Sequence, residues 1–191
     1  MSFDQDAFLN EHIPYRLGNL DLFYHALRIM MSDPRPVSAR VQFDEGHEMQ
    51  GPFWMVTNSW IETGMLTCRL LIDFLGGKAS NFPDDVLITM FKDAKGENLK
   101  GVPVEAISEF CPKGISRDQT LEALKFTRKA ADKRVAHLTA GASERPDEIQ
   151  LYQIATMAIH HAVSYHLYER LGLPPPGQII TDIRRGDQGA L

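Results

Sequence analysis

Apolar positions recur at three- and four-residue steps along most of this chain, a spacing that predicts helices rather than strands. The first such stretch covers 20–31. Phe23, Ala26, Leu27 and Met30 form its buried stripe, and Asn19 or Asp21 caps it. Ser32-Asp33-Pro34-Arg35-Pro36 stops it, because proline removes a backbone donor and disfavours helix at the residue before it. A polar stretch over 33–51 follows, in which 37–43 reads as an extended piece with no hairpin signal beside it. The second helix covers 53–75. Ile61, Met65, Cys68, Ile72 and Leu75 make one stripe that Trp54, Leu71 and Phe74 widen, so this helix is expected to lie centrally. Gly76-Gly77 ends it, since glycine accepts the left-handed conformation of a helix C-terminus.

The connector after it is too long for a bare loop and is expected to hold two short helices, over 84–92 and 103–110, around a polar turn at 93–98. The third long helix starts at Ser116 or Arg117 and runs to 138, with Leu121, Leu124, Ala131, Val135 and Leu138 as its stripe. The linker 141–146 leads to a fourth helix over 146–171. There Leu151, Ala155, Ala158, Ala162 and Tyr165 recur, and the alanines permit close approach of a neighbouring helix. Gly172 and Pro174-Pro175-Pro176-Gly177 close the pattern. The expected fold class is therefore all-α: a helical bundle of four principal helices plus one or two short helices. It forms one domain over 1–175, followed by a mobile C-terminal tail over 176–191.

Charge narrows the partners. The net charge of -5 and the pI near 5.8 give a global field that does not attract nucleic acid, so no DNA partner is expected and RNA would need a local basic patch. Two cysteines, Cys68 and Cys111, lack CxxC spacing and read as reduced thiols. The start, Met1-Ser2-Phe3-Asp4-Gln5-Asp6, is acidic where a signal peptide is basic, and no apolar run reaches the roughly 18 residues of a membrane span. A cytoplasmic protein without a membrane partner is the expectation.

The local basic patch lies on the third helix. Lys125, Lys129, Lys133 and His137 fall in one i, i+4 row, and Arg134 lies one turn before His137. This row is the candidate for phosphate contact, against the alternative of a solvated helix face whose cations suit the C-terminal end of the helix dipole. Arg128 falls between Leu121, Leu124 and Val135 on the helix wheel. It either lines an interhelical groove or packs its stem and pairs its head with a carboxylate such as Asp73. On the fourth helix, His161 and His166 are five residues apart and do not share a face. Neither a metal ligand set nor a cofactor is predicted. Gly76-Gly77-Lys78-Ala79-Ser80 lacks the leading glycine of a phosphate-binding loop.

The run Ala131-Asp132-Lys133-Arg134-Val135-Ala136-His137-Leu138 resembles the motif of the HEPN superfamily, in the form Arg-Asp-Lys-x-x-Ala-His-Leu carried by abortive-infection members. Ala131 stands in the arginine position, and the resemblance covers 131–139. HEPN proteins are small all-α bundles that include RNases and components of toxin or antiphage systems. The resemblance implies metal-independent cleavage of RNA in a defence or toxin-type system, at a site formed between two protomers, hence a homodimer. His137 would be its acid or base, Arg134 or Arg128 its cation, and Lys125, Lys129 and Lys133 its RNA contacts. The other reading is a non-catalytic helical module that dimerises or binds a ligand or protein.

Overall fold

In the computed structural model, residues 3–32, 37–42, 46–77, 85–135 and 145–177 are described, the side chains of Arg134 and Val135 excepted. The first helix, α1, is built from Gln5–Ala7, a π turn Phe8–His12 and Ile13–Met30. Asp4 starts it by accepting hydrogen bonds from the N–H groups of Asp6 and Ala7, both at 3.1 Å. It therefore begins well before residue 20, where periodicity placed it. Pro14 is the reason for the difference. A proline inside a helix lacks an N–H and crowds the carbonyl four residues back. Here the preceding turn is widened, and Ile13 N–H reaches Phe8 O.

The segment expected to be extended pairs with a second strand. β1, Ser38–Gln42, runs antiparallel to β2, Glu48–Pro52. The fold is thus mostly helical with a small two-stranded sheet, a correction to the all-α expectation. The pairing was hidden because no Asn-Gly or Asp-Gly turn marks it, and Gly46, at φ 81°, bends the chain just before β2.

α2, Phe53–Gly76, closes with Gly77 in the left-handed conformation at φ 60°, as the Gly-Gly pair predicts. The connector holds a 3-10 turn at Ile88–Met90 and a short helix α3 at Val104–Ile107. Between them Asp93 Oδ1 accepts from Lys95 N–H and Glu97 N–H and shapes the expected polar turn. The connector returns to α2 where Val102 N–H donates to Leu75 O at 2.7 Å. α4, Arg117–Ala130, starts with a capping box between Ser116 and Gln119 and continues as a π turn Ala131–Val135. α5, Glu148–Val163, continues as a π turn Ser164–Glu169. Leu138, the rest of 136–144, and the expected mobile tail from 178 onward lie outside the described residues.

The four long helices pack in the order α1, α2, α4, α5, each antiparallel to the next, and α5 returns to α1. Tyr168 Oη closes the ring by donating to Leu9 O at 2.8 Å. Leu20, Phe23, Leu27, Leu71, Leu75, Leu124, Ile159 and Leu167 fill the centre. Of the expected core, Met65, Leu71, Leu124 and Ala158 are buried, whereas Ile61 and Leu121 are half-buried at the margin. Trp54 and Tyr165, expected on buried stripes, are exposed. Trp54 lies in the first turn of α2, beside the hairpin rather than over the core. Ala155, Ala158 and Ala162 are all fully buried, so the small stripe of α5 is occupied by helices of the same chain. Leu124 has no exposed surface, and Leu124→Ala should cost roughly 2–4 kcal/mol in a urea unfolding titration. Among the described residues no helix is long and apolar enough to cross a membrane.

Candidate functional site

The last turns of α4 lie against α2, and their contact is charged. Arg128 Nη2 is 2.7 Å from Asp73 Oδ1, Arg69 Nε is 3.8 Å from the other oxygen of Asp73, and Arg69 Nη1 is 2.9 Å from Asp132 Oδ1. Cations and anions alternate through Arg128, Asp73, Arg69 and Asp132. Arg128 therefore does what its place in an apolar stripe demands: its head leaves the core edge and meets Asp73, the carboxylate singled out in the sequence. Each pair is half-exposed and contributes little alone, but the chain of four fixes the direction in which Arg128 points. Arg69 and Asp132 were the partners not anticipated. The signal for Arg69 was its i, i+4 spacing to Asp73.

Lys125, Lys129 and Lys133 are exposed along the outer side of the same helix, as their common row requires. Lys125 Nζ lies 4.0 Å from Glu105 Oε1 on α3, so acid reaches the start of the row. Ala131, in the arginine position of the HEPN-like run, is fully buried. His137 lies outside the described residues, and Arg134 is described only through its backbone. The structure thus brings Arg128 and the three lysines onto one helix and turns Ala131 away from them into the core.

A cation that periodicity left in a linker sits nearby. Arg145 binds Glu122 of α4 at 2.9 Å and Asp147 at 2.7 Å, and its guanidinium lies 5.3 Å from the centre of the Phe126 ring. It ties the start of α5 to α4.

A second polar pair lies between α1 and α5. His160 Nε2 is 3.9 Å from Asp21 Oδ1, and the two side chains are only 13% and 11% exposed. Periodicity makes Asp21 a cap only if α1 begins near it. In a helix that begins at residue 5, Asp21 is mid-helix and faces α5. His166 packs edge-to-face with Phe110 and Tyr165, at centroid distances of 5.4 and 5.0 Å. Burial, with Arg170 assisting, holds its pKa below the ordinary histidine value, against an opposing pull from Glu109. Among the described residues no three His, Cys, Asp or Glu side chains group closely enough to hold a metal ion.

Neither cysteine is bridged. Cys68 is fully buried, 3.9 Å from Thr156 Oγ1, and burial pushes its thiol from 9.0 to about 12. Burial likewise raises Tyr168 from 10.0 to about 12. In the folded chain both groups keep protons that the unfolded chain releases. Their contribution is complete below about pH 9 and falls as pH rises toward 12. The melting temperature should accordingly hold between pH 8 and 9 and decline above it. A thiol-alkylating reagent at pH 8 should label the half-buried Cys111 and reach Cys68 only on unfolding. Comparison of the chain with protein-family models, with curated proteins and with solved structures found no match.

Proposed function

We propose that this chain is a non-catalytic helical module that works as a homodimer on a HEPN-like bundle. The observation that carries the reading is Ala131. It stands where the HEPN motif presents its arginine, and it is fully enclosed by the core. The other described candidate, Arg128, has its guanidinium on Asp73. Phosphoryl cleavage gains most from a preorganised cation aimed at the growing charge, and neither position offers one. The test is purified protein incubated with structured and single-stranded RNA, with and without chelator, alongside sedimentation equilibrium. The expected outcome is intact RNA and a dimer at micromolar concentration. Cleavage would remove the first half of the reading, and a monomer throughout would remove the second.

A second reading keeps the chemistry of the HEPN resemblance: RNA cleavage in a defence or toxin-type system. Its support is the exposed row Lys125, Lys129 and Lys133, which precedes His137 in the sequence. His137 is then the acid or base, beside Arg134, and cleavage is metal-independent. His137→Ala should abolish turnover with helix content unchanged. Lys129→Ala should mainly weaken RNA binding, most clearly at low salt. Cleavage that survives His137→Ala, or that a chelator stops, rules this mechanism out.

A further inference from the structure

We infer that the outer edge of β1 is the dimer seam, pairing antiparallel with β1 of a second copy to make a four-stranded sheet across the two-fold axis. The inference rests on the homodimer reading above and says where the two copies meet. Phe53 N–H donates to Val37 O at 3.1 Å, and the register runs from Ser38 opposite Pro52 to Gln42 opposite Glu48. In an antiparallel ladder hydrogen-bonded and non-hydrogen-bonded pairs alternate. Ala39 with Gly51 and Val41 with Met49 therefore bond inward. Ser38, Arg40 and Gln42 on β1, and Glu48, Gln50 and Pro52 on β2, turn their backbone groups outward.

The two outer edges differ. On β2, Pro52 has no N–H to offer, a device that blunts an edge. On β1 every outward residue has both donor and acceptor, and Ser38, Arg40 and Gln42 are exposed with no backbone partner among the described residues. The faces differ too. Val37, Ala39, Val41, Met49 and Gly51 lie on one side, and the polar residues lie on the other. α2 covers the apolar side in part: a Cβ on Gly51 would stand 3.4 Å from Met55 Sδ. Yet Val37 stays 88% exposed, Trp54 61%, Met55 45% and Met49 42%. A two-stranded hairpin gains stability in water from a helix or from further strands on its apolar face, and α2 covers that face only in part.

Three observations make the occupant a second copy. Among the described residues each chain has one open edge and one blunted edge, which gives a sheet of order β2-β1-β1-β2 with Pro52 near both outer margins, so assembly closes at two. The chain carries a net charge of -5, but the strands carry one cation and one anion, Arg40 and Glu48, 3.5 Å apart. Two copies meet there without the repulsion that opposes contact elsewhere. Val37, next to β1 and 88% exposed, offers apolar surface beside that edge. A two-fold axis through Ala39 sets Ser38 opposite Arg40 of the second copy and Val37 opposite its Val41. The two Arg40 side chains then do not face each other.

Arg40→Pro removes an outward donor from each copy and leaves the inward ladder intact, because Arg40 and Gln50 are a non-hydrogen-bonded pair. It should weaken the dimer by about a hundredfold in sedimentation equilibrium, roughly tenfold for each lost hydrogen bond. Gln50→Pro makes the matching change on β2 and should leave dimerisation unaltered. Independently of any variant, the Ser38, Arg40 and Gln42 amides of the wild-type chain should exchange more slowly as protein concentration rises. A dimer that survives Arg40→Pro, with those amides exchanging fast at every concentration, overturns the seam and leaves the homodimer standing. A monomer at every concentration overturns both. Should Arg40→Pro unfold the hairpin, the wild-type exchange data decide alone.

Discussion

Gly64→Ala should destabilise the fold by at least about 3 kcal/mol, the upper end of what overpacking a core costs, and the loss should be read in a denaturant titration at constant slope. Gly64 is buried in the middle of α2, where it faces α1. A Cβ built there would lie 2.2 Å from both Cβ and Cγ of Phe23. Phe23 Cβ is fixed to the backbone of α1, so no rotamer change relieves the overlap. The helices themselves must part, and Phe23 has no exposed surface into which to retreat. Glycine in a helix interior ordinarily costs about 1 kcal/mol relative to alanine, so an exposed Gly64→Ala would stabilise. The sign of the measured change therefore decides whether α1 and α2 approach as closely as the geometry requires. The pair should be non-additive only in part: Phe23→Ala removes the overlap with Cγ but keeps the one with Cβ, so Gly64→Ala should still destabilise in that background, by less than it does alone.

This contact shows the limit of pattern reading. Helical periodicity marked Met65, Cys68, Ile72 and Leu75 as one face of α2, and all four are buried. The stop at Gly76-Gly77 was legible because a left-handed C-cap is a local demand. The start of α4 was legible through Ser116 for the same kind of reason. The need for a glycine at position 64 was not, since it arises from a ring on another helix. Local rules also misled where tertiary structure overrode them. Pro14 hid the first half of α1, because the π turn at Phe8–His12 that accommodates it leaves no signature in spacing. With α1 starting at residue 5, Asp21 is a buried partner of His160 rather than a cap. Val37, Ala39 and Val41 alternate with Ser38, Arg40 and Gln42, which is a strand signal. Its partner strand carries only Met49 as a large apolar residue on that face, so the hairpin went unread. At the candidate site, the pairing of Arg128 with Asp73 followed from a charge in an apolar stripe. The burial of Ala131 followed from its place in the same stripe.

That burial makes repair of the motif a demanding experiment. Ala131→Arg restores the residue that the HEPN motif carries, yet it should cost more than about 4 kcal/mol, because it adds volume to a packed site and a charge to a site without a carboxylate of its own. Asp132, the adjacent acid, is 2.9 Å from Arg69, and Asp73 is taken by Arg128 and Arg69. A new guanidinium at 131 would have to reach past the α2–α4 contact to find water or displace one of these pairs. Thermal melts should show a large loss or no cooperative transition, and RNA cleavage should stay absent. Ala131→Ser, which adds one small polar atom, should fold with a loss of about 1–3 kcal/mol and serves as the control for burial alone. The opposite outcome is equally clear. An Ala131→Arg protein with the melting temperature of the wild type, cutting RNA in a manner that needs His137, would mean that position 131 opens to a groove. The non-catalytic reading would then be wrong at its central observation.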